Sequence, residues 1–177
     1  MARHLEQMGL AAPPAEALGS LDTLLAHCNA TYLNGGIESL RAIPNGSVDL
    51  IWSHAVLEHI RRCDFDALLR EMRRILRPGG VCSHTVDLQD HLGGGLNNLR
   101  FPEWLWEADW FARSGFYTNR IGCSEMMVRF KAAGFAAELR NRRDFPALPM
   151  PREKFARAFR DLPEDALCVA GFDVILR

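Results

Sequence analysis

Four side chains that can exchange protons near neutral pH surround the end of one apolar stretch. They are His84, Asp87, Asp90 and His91, which lie within or just after residues 81–86. An imidazole or carboxylate held beside a reacting group is the usual means of general acid–base catalysis. We therefore regard Asp87 and His91 as candidate catalytic bases. The alternative is that these side chains only make hydrogen bonds within a turn.

A second polar set follows an earlier apolar run, residues 48–52. It contains Ser53, His54, Glu58 and His59. Two polar sets so far apart in sequence can share one site only if the fold brings them together, so the elements around them decide the question.

Residues 48–86 have the pattern of a strand, a helix and a second strand. The run 48–52 is nearly all apolar, as in a strand buried on both faces, and 81–86 is similar. Between them, apolar residues from Asp64 onward recur every three or four positions, which indicates an amphipathic helix. Such a βαβ unit has parallel strands, and open parallel sheets bind ligands beyond the carboxyl ends of their strands. The sequence therefore predicts that 53–59 and 87–96 line one pocket.

The remaining elements are predicted from turn and capping signals. Ser20, Asp64 and Ser124 are expected to cap helices, and Pro78-Gly79-Gly80 is expected to end the central helix. Further strands are predicted at Ala30–Leu33, Phe135–Arg140 and Leu167–Leu176, with helices before Cys28, at Ser124–Ala133 and near Arg152–Arg160. Trp104, Trp106 and Trp110 are expected to pack in the core, although a stacking platform for a ligand is an alternative.

Composition limits the function classes. At 177 residues the chain fits one domain, 1–177, in which a helical segment 1–29 precedes the main part, 30–177. Lys and Arg total 21 against 22 Asp and Glu, and this balance argues against nucleic acid as a partner. The five cysteines form no C-x-x-C pair, and no long apolar run is present. We expect reduced thiols, no membrane association and a cytoplasmic location.

Two motifs on the βαβ unit resemble those of a known family. Residues 47–59 read SVDLIWSHAVLEH and residues 76–80 read LRPGG. At this spacing they resemble class I S-adenosylmethionine-dependent methyltransferases of the type 11 group. The closing FDVIL, residues 172–176, resembles that family's last, antiparallel strand. The resemblance implies an α/β, Rossmann-like, mostly parallel sheet with helices on both faces and an antiparallel C-terminal strand.

The same resemblance implies a cofactor, S-adenosylmethionine, and residues that contact it. Residues after the family's third strand contact adenine, and the matching positions here are Gly36, Ile37 and Glu38. Residues after the fourth strand line the methionine part, which corresponds to Ser53 and His54, with His59 shaping the pocket. The expected activity is methyl transfer to a small-molecule acceptor, with Asp87 or His91 as the base. Some relatives bind a metal at Glu58-His59, but Ala55 stands where one glutamate ligand would be, so no metal is expected.

One part of the family pattern is not found. The family's first strand ends in a glycine-rich loop that lets the backbone approach the cofactor, and no such motif precedes Ala30. Without that strand, the Leu50-Ile51-Trp52 run would form an exposed sheet edge. We expect a longer natural chain to supply the missing strands, or a homodimer partner or the N-terminal helices to cover the edge.

Two other function classes compete with this interpretation. One is a truncated, non-catalytic methyltransferase-like module that acts as a binding or scaffold protein. The other is a nicotinamide-dependent reductase, which shares the sheet architecture but does not account for the LEH and LRPGG motifs. Binding of S-adenosylmethionine distinguishes the enzyme from the non-catalytic module.

Overall fold

The computed structural model describes residues 7–9 and 14–177, and these divide into two compact units, 1–39 and 40–177. The expectation of one domain, 1–177, stays a prediction. The first unit contains a 3₁₀ turn, Ala15–Leu18, and helix α1, Leu21–His27. Ser20 caps α1 as predicted, because its hydroxyl accepts a hydrogen bond from the Thr23 amide while Thr23 caps in return.

The strand predicted at Ala30–Leu33 is wrong. Residues 30–34 form no regular structure, and their side chains are exposed. Residues of high β-propensity form a strand only when a neighbouring strand pairs with them, and none of the described strands does so here. Helix α2, Ile37–Arg41, follows at the boundary between the units.

The second unit is built on a four-stranded sheet with strand order β1-β2-β4-β3. The strands are β1 Val48–His54, β2 Leu76–Asp87, β3 Ala137–Asp144 and β4 Val169–Leu176. Helix α3, Arg62–Ile75, connects β1 to β2, and these two strands are parallel neighbours with Ile51 opposite Cys82. The predicted βαβ unit is therefore confirmed.

The remaining two strand pairs are antiparallel. Strand β2 pairs with β4 through Cys82 and Leu176, and β3 pairs with β4 through Ala137 and Leu176. The Rossmann-like α/β class and its antiparallel last strand are confirmed. Among the described strands, however, only one pair of three is parallel, because β4 lies between β2 and β3 and runs opposite to both.

The core lies on one face of this sheet. Helix α3 and helix α6, Cys123–Ala132, both pack there, and the rings of Phe65 and Phe130 meet with centroids 6.3 Å apart. The two longest helices therefore cover the same face, not opposite ones. On the other face, Leu50 and Trp52 of the outer strand β1 are 59% and 68% exposed. Their exposure agrees with the exposed edge predicted from the sequence.

Several predicted helix ends differ from the structure. Helix α3 begins before Asp64, which makes no cap, and α6 begins at Cys123 after an uncapped Gly122, not at Ser124. Pro78-Gly79-Gly80 does not end α3 but forms a bulge within β2, since β2 begins directly at Leu76. The shorter helices are α4 Glu103–Trp106, α5 Asp109–Ala112, α7 Arg157–Arg160 and α8 Glu164–Leu167.

The three tryptophans do not behave alike. Trp106 is fully buried and its indole N–H donates to the Thr118 carbonyl, as expected of a core residue. Trp104 and Trp110 are 78% and 68% exposed, so the core prediction is wrong for both. Their helices α4 and α5 are each a single turn within the connection between β2 and α6.

Candidate functional site

A polar cavity of about 420 Å³ opens at the carboxyl ends of the parallel strands β1 and β2. Its lining side chains come from the end of β1, the end of β2 and the β3–β4 pair: His54, Ala55, Thr85, Asp87, Gln89, Arg143 and Asp173. This is the edge at which open α/β sheets bind ligands. The structure therefore places two predicted site residues, His54 and Asp87, in one cavity.

The charged groups of the cavity are held by a hydrogen-bond network. Asp173 accepts from the Asn141 amide at 2.8 Å and pairs with the Arg143 guanidinium at 3.3 Å. The Asn141 bond, with further hydrogen bonds from Thr85 and Arg143, holds the pKa of Asp173 below its usual range. Asp173 is therefore ionised at neutral pH, and the cavity has a fixed negative charge on this side.

Backbone geometry shapes the opposite side. Ala55, directly after β1, has a φ of +51°, a conformation that costs energy for any residue but glycine. Its amide donates to the Thr85 carbonyl at 2.9 Å, which is the last hydrogen bond between β1 and β2 at this edge. Asp87 closes a short turn by accepting from the Gln89 amide at 3.0 Å. Its second carboxylate oxygen stays available to a ligand in the cavity.

Ser53 is not in the cavity lining. Its hydroxyl lies 2.7 Å from Nδ1 of His84, which sits opposite it on β2. Ser53 and His84 share the face of Ile51 and Cys82, where the helices pack. Ser53 as a contact of the methionine part therefore stays a prediction, while His54, next in sequence, lines the cavity.

His84 is a buried neutral base. Its side chain is 2% exposed, and burial lowers its pKa to about 4. Nε2 has no hydrogen-bond partner within the described residues. We conclude that His84 is a core residue and carries no charge at neutral pH.

The structure joins two predicted site residues, His59 and His91, in a stacked pair. Their Nε2 atoms are 3.3 Å apart and their rings are nearly parallel. His59 Nδ1 lies 2.9 Å from the Tyr117 carbonyl, which can only accept, so His59 carries its proton on Nδ1. His59 Nε2 then accepts from His91, which leaves Nδ1 of His91 as the free basic nitrogen.

Glu58 connects this histidine pair to the cavity. Its side chain is 2% exposed, and Oε1 accepts from the Asp87 amide at 3.3 Å. Burial raises the pKa of Glu58, and Oε2 has no partner in the described part of the chain. Glu58 therefore ties the 57–59 turn to the end of β2, so that His59 and Asp87 keep a fixed relation.

Residues 117–121, which the sequence indicated only as part of a long loop, support the 57–59 turn. Asn119 donates from its side-chain amide to the Leu57 and Ile60 carbonyls, at 2.8 and 2.9 Å, and its backbone amide donates to the Glu58 carbonyl. Residues 117–121 are all buried. The sequence signal for this was a polar run between Tyr117 and Ile121 without glycine or proline, which is unusual for a loop.

Three predicted cofactor contacts lie in the other unit. Gly36, Ile37 and Glu38 stand at the start of α2, within residues 1–39. Gly36 has a φ of +59°, which explains glycine at this turn. No strand precedes them within residues 7–9 and 14–35, so the described part of the chain does not bear out a position after a third strand. Their role in binding stays a prediction.

The segment that leads into the cavity is similar to a known protein family. Residues 13–83 match the methyltransferase domain family. The match spans β1, α3 and most of β2, and it confirms the resemblance to class I methyltransferases. S-adenosylmethionine is confirmed with it as the cofactor. No curated protein matches the chain.

Several solved structures are similar in backbone. An S-adenosylmethionine-dependent methyltransferase from Mesorhizobium loti is 19% identical, with a TM-score of 0.49 over 89% of this chain and 76% of its own. One from Archaeoglobus fulgidus is 8% identical, with a TM-score of 0.48 over 98% and 78%. A chain from a complex that contains the Haloferax volcanii Trm112 methyltransferase activator is 18% identical, with a TM-score of 0.46 over 92% of this chain. This chain spans 64% of that protein. All three TM-scores are below 0.5.

The residues of the cavity fit one end of S-adenosylmethionine. Its methionyl end carries a sulfonium, an ammonium and a carboxylate group, so its net charge is positive and nearby carboxylates stabilise it. Asp87 and Asp173 provide two carboxylates, of which Asp173 is partly neutralised by Arg143. The net charge of these three groups is therefore negative, as the methionyl end requires.

Over residues 7–9 and 14–177, no three His, Cys, Asp or Glu side chains converge as metal ligands would. No helix in those ranges has the length and apolar character that spanning a bilayer requires.

Proposed function

We propose that this protein transfers a methyl group from S-adenosylmethionine to a small-molecule acceptor at the carboxyl-end cavity. The observation that supports the proposal is the parallel β1-α3-β2 unit, whose strands end at His54 and Asp87 beside one cavity. Most of this unit, up to residue 83, lies within the segment matched to the methyltransferase domain. When bound, the cofactor supplies an electrophilic methyl group.

The residues of the chain act by position and charge. Asp87 and Asp173 stabilise the positive methionyl end, and the Asn141 and Arg143 contacts hold Asp173 in place. His54 lines the same cavity and bounds the space for the acceptor. Alignment of the acceptor with the methyl group lowers the barrier because the two reactants no longer have to meet in solution.

His91 does not line the cavity itself, so in this proposal it accepts the proton of an acceptor that extends from the cavity toward the histidine pair. Its Nδ1 is the free nitrogen of the histidine pair, and His59 holds the ring through the Nε2 contact. In this proposal His59 is a positioning residue: its own proton is fixed on Nδ1 by the Tyr117 carbonyl.

Calorimetric titration with S-adenosylmethionine tests the proposal through Asp87→Asn. Asparagine keeps the oxygen that accepts from the Gln89 amide, so the turn persists while the charge is lost. We expect an affinity roughly tenfold lower, the size of one charge-assisted contact. The control is Asp144→Asn, which removes an exposed carboxylate paired with Arg142 outside the cavity. Equal affinities for the two variants would refute the assigned role of Asp87.

A non-catalytic module is the second candidate function. It is favoured by the exposed Leu50 and Trp52 and by the absence of a glycine-rich loop from the sequence. If the 177-residue chain does not bind S-adenosylmethionine but a version extended upstream does, the 177-residue chain by itself is a non-catalytic module. If neither binds, the methyltransferase proposal fails.

A further inference from the structure

A second cavity, of about 410 Å³, lies on the other side of the segment that follows β2. Asp87 and Gln89 face the first cavity, whereas Leu88 between them lines the second. The second cavity is walled mainly by aliphatic and aromatic side chains, which include Leu96, Leu99, Ile121 and Phe159. Its size and lining are typical of sites for small apolar molecules.

The cavity contains a buried cation that its surroundings compensate only in part. The Arg120 side chain is 2% exposed and lies between the rings of Trp106 and Phe159, 5.3 and 5.1 Å from their centroids. One terminal nitrogen donates to the Phe101 carbonyl at 2.8 Å, and the other is 4.0 Å from Glu107. Nε has no partner within the described residues. A buried N–H of a charged group without an acceptor is costly, so a ligand that supplies one is favoured.

A helix terminus adds to the preference for an anion. Gly122, Cys123 and Ser124 at the start of the ten-residue helix α6 line the same cavity, and Gly122 offers no side chain to cap the first amides. Free amides at a helix N-terminus favour negative charge. The acidic residue of this first turn, Glu125, is already paired with Arg62 and Arg129.

Two other polar side chains of the lining bear on the chemical class of the ligand. Glu103 also lines the cavity, but it is exposed, so water screens its attraction for Arg120. Asn98 Oδ1 is buried and also lacks a partner among the described residues. A ligand with an amide group would suit Asn98, so the neutral amide is the strongest competitor to an anion.

We propose that this cavity binds an apolar monocarboxylate, with the carboxylate at Arg120 and the α6 N-terminus and the apolar chain against the leucines and Phe159. The site is separate from the carboxyl-end cavity and does not depend on methyl transfer. It would let the protein recognise an amphipathic anion whether or not S-adenosylmethionine binds.

Titration calorimetry on the 177-residue protein with three probes of equal chain length, each below its micelle concentration, tests this site. The probes are decanoate, decanamide and decylamine. We expect decanoate to bind roughly tenfold or more tightly than either of the others, because a hydrogen bond to a charged group contributes about that factor. Absence of decanoate binding, or equal binding of decanamide or decylamine, would overturn the proposal.

Two variants locate the binding. Arg120→Gln should weaken decanoate binding roughly tenfold or more, whereas Arg113→Gln, which removes an exposed arginine outside the lining, should not. Because Arg120 also supports the fold, a second variant, Ala158→Phe, provides an independent test. Ala158 is exposed and lines the cavity, so a phenyl ring at this position can fill the cavity while Arg120 stays in place. Ala158→Phe should abolish decanoate binding. Unchanged binding in Ala158→Phe would place decanoate elsewhere and contradict the proposal.

Discussion

At the scale of single residues, the candidate site depends on which polar side chains are buried and which face the cavity. Sequence reasoning could name His84, Asp87 and His91 as proton-exchanging groups, since their residue types are sufficient for that. It could not separate them, because burial depends on the strand face. His84 shares the face of Cys82 and is enclosed, whereas Asp87 lies at the strand end and lines the cavity.

The contact between His59 and His91 could not be predicted either. The two residues are 32 positions apart, and only the turn after β1 and the loop after β2 bring their rings together. What the sequence did predict is that both loops lie at the same sheet edge, since this follows from parallel strands alone.

The buried His84 predicts a specific dependence of stability on pH. Its folded-state pKa of about 4 lies below the ordinary value near 6.5, so the unfolded chain takes up a proton first as the pH falls. Stability should therefore be full above about pH 6.5 and decrease down to about pH 4, by about 3 kcal/mol in total. Glu58 acts in the opposite direction, because burial raises its pKa.

Urea unfolding at pH 7 and pH 5 isolates the histidine, since Glu58 is common to all variants. Between these pH values the wild-type protein should lose about 2 kcal/mol more of its unfolding free energy than His84→Gln does. His27→Gln, which removes an exposed histidine of α1, should behave like the wild type. The same pH dependence in His84→Gln and wild type would contradict the assignment.

At the scale of elements, the β1-α3-β2 unit was predictable because two periodicities in the sequence change at its boundaries. The positions of the caps were not. Asp64 has the residue type of a cap, yet α3 starts earlier, at Arg62, and the LRPGG turn became a bulge because β2 pairs with β1 from Leu76 onward. Local signals thus located the elements, and strand pairing decided their ends.

The contact between β2 and β4 beside the cavity depends on a glycine. A Cβ added to Gly171 would lie 2.8 Å from the Val86 carbonyl oxygen and 2.7 Å from the Arg143 guanidinium, both too close. Gly171→Ala should therefore lower the unfolding free energy by about 1–3 kcal/mol.

Denaturant unfolding checks this against Gly115→Ala. Gly115 has open space at the position of its Cβ, so alanine there should change stability little. If the two alanine variants were equally stable, the packing of Arg143 over Gly171 would have no energetic role.

At the scale of the whole molecule, the exposed outer strand β1 is the main feature that the methyltransferase motifs do not explain. Leu50 and Trp52 present large apolar side chains on β1, and among the described strands β1 pairs only with β2. An apolar edge strand of this kind favours association with another chain. We propose a homodimer that covers β1.

Sedimentation velocity tests this dimer with two matched variants. Trp52→Lys should shift the protein toward monomer, because a charge on the covered face opposes burial. Trp110→Lys alters a tryptophan of the same exposure, 68%, on α5 and should leave the association unchanged. Monomers at all concentrations of the wild-type protein would exclude the dimer.

The central claim is that S-adenosylmethionine binds at the carboxyl ends of β1 and β2. Hydrogen–deuterium exchange of the 177-residue protein with and without S-adenosylhomocysteine measures this directly, because bound ligand slows exchange of the amides that it covers. We expect slower exchange in residues 53–59 and 85–91. Binding that slows exchange elsewhere and leaves both segments unchanged would contradict a site at the ends of β1 and β2. The same conclusion would follow if neither this chain nor a version extended upstream bound the ligand.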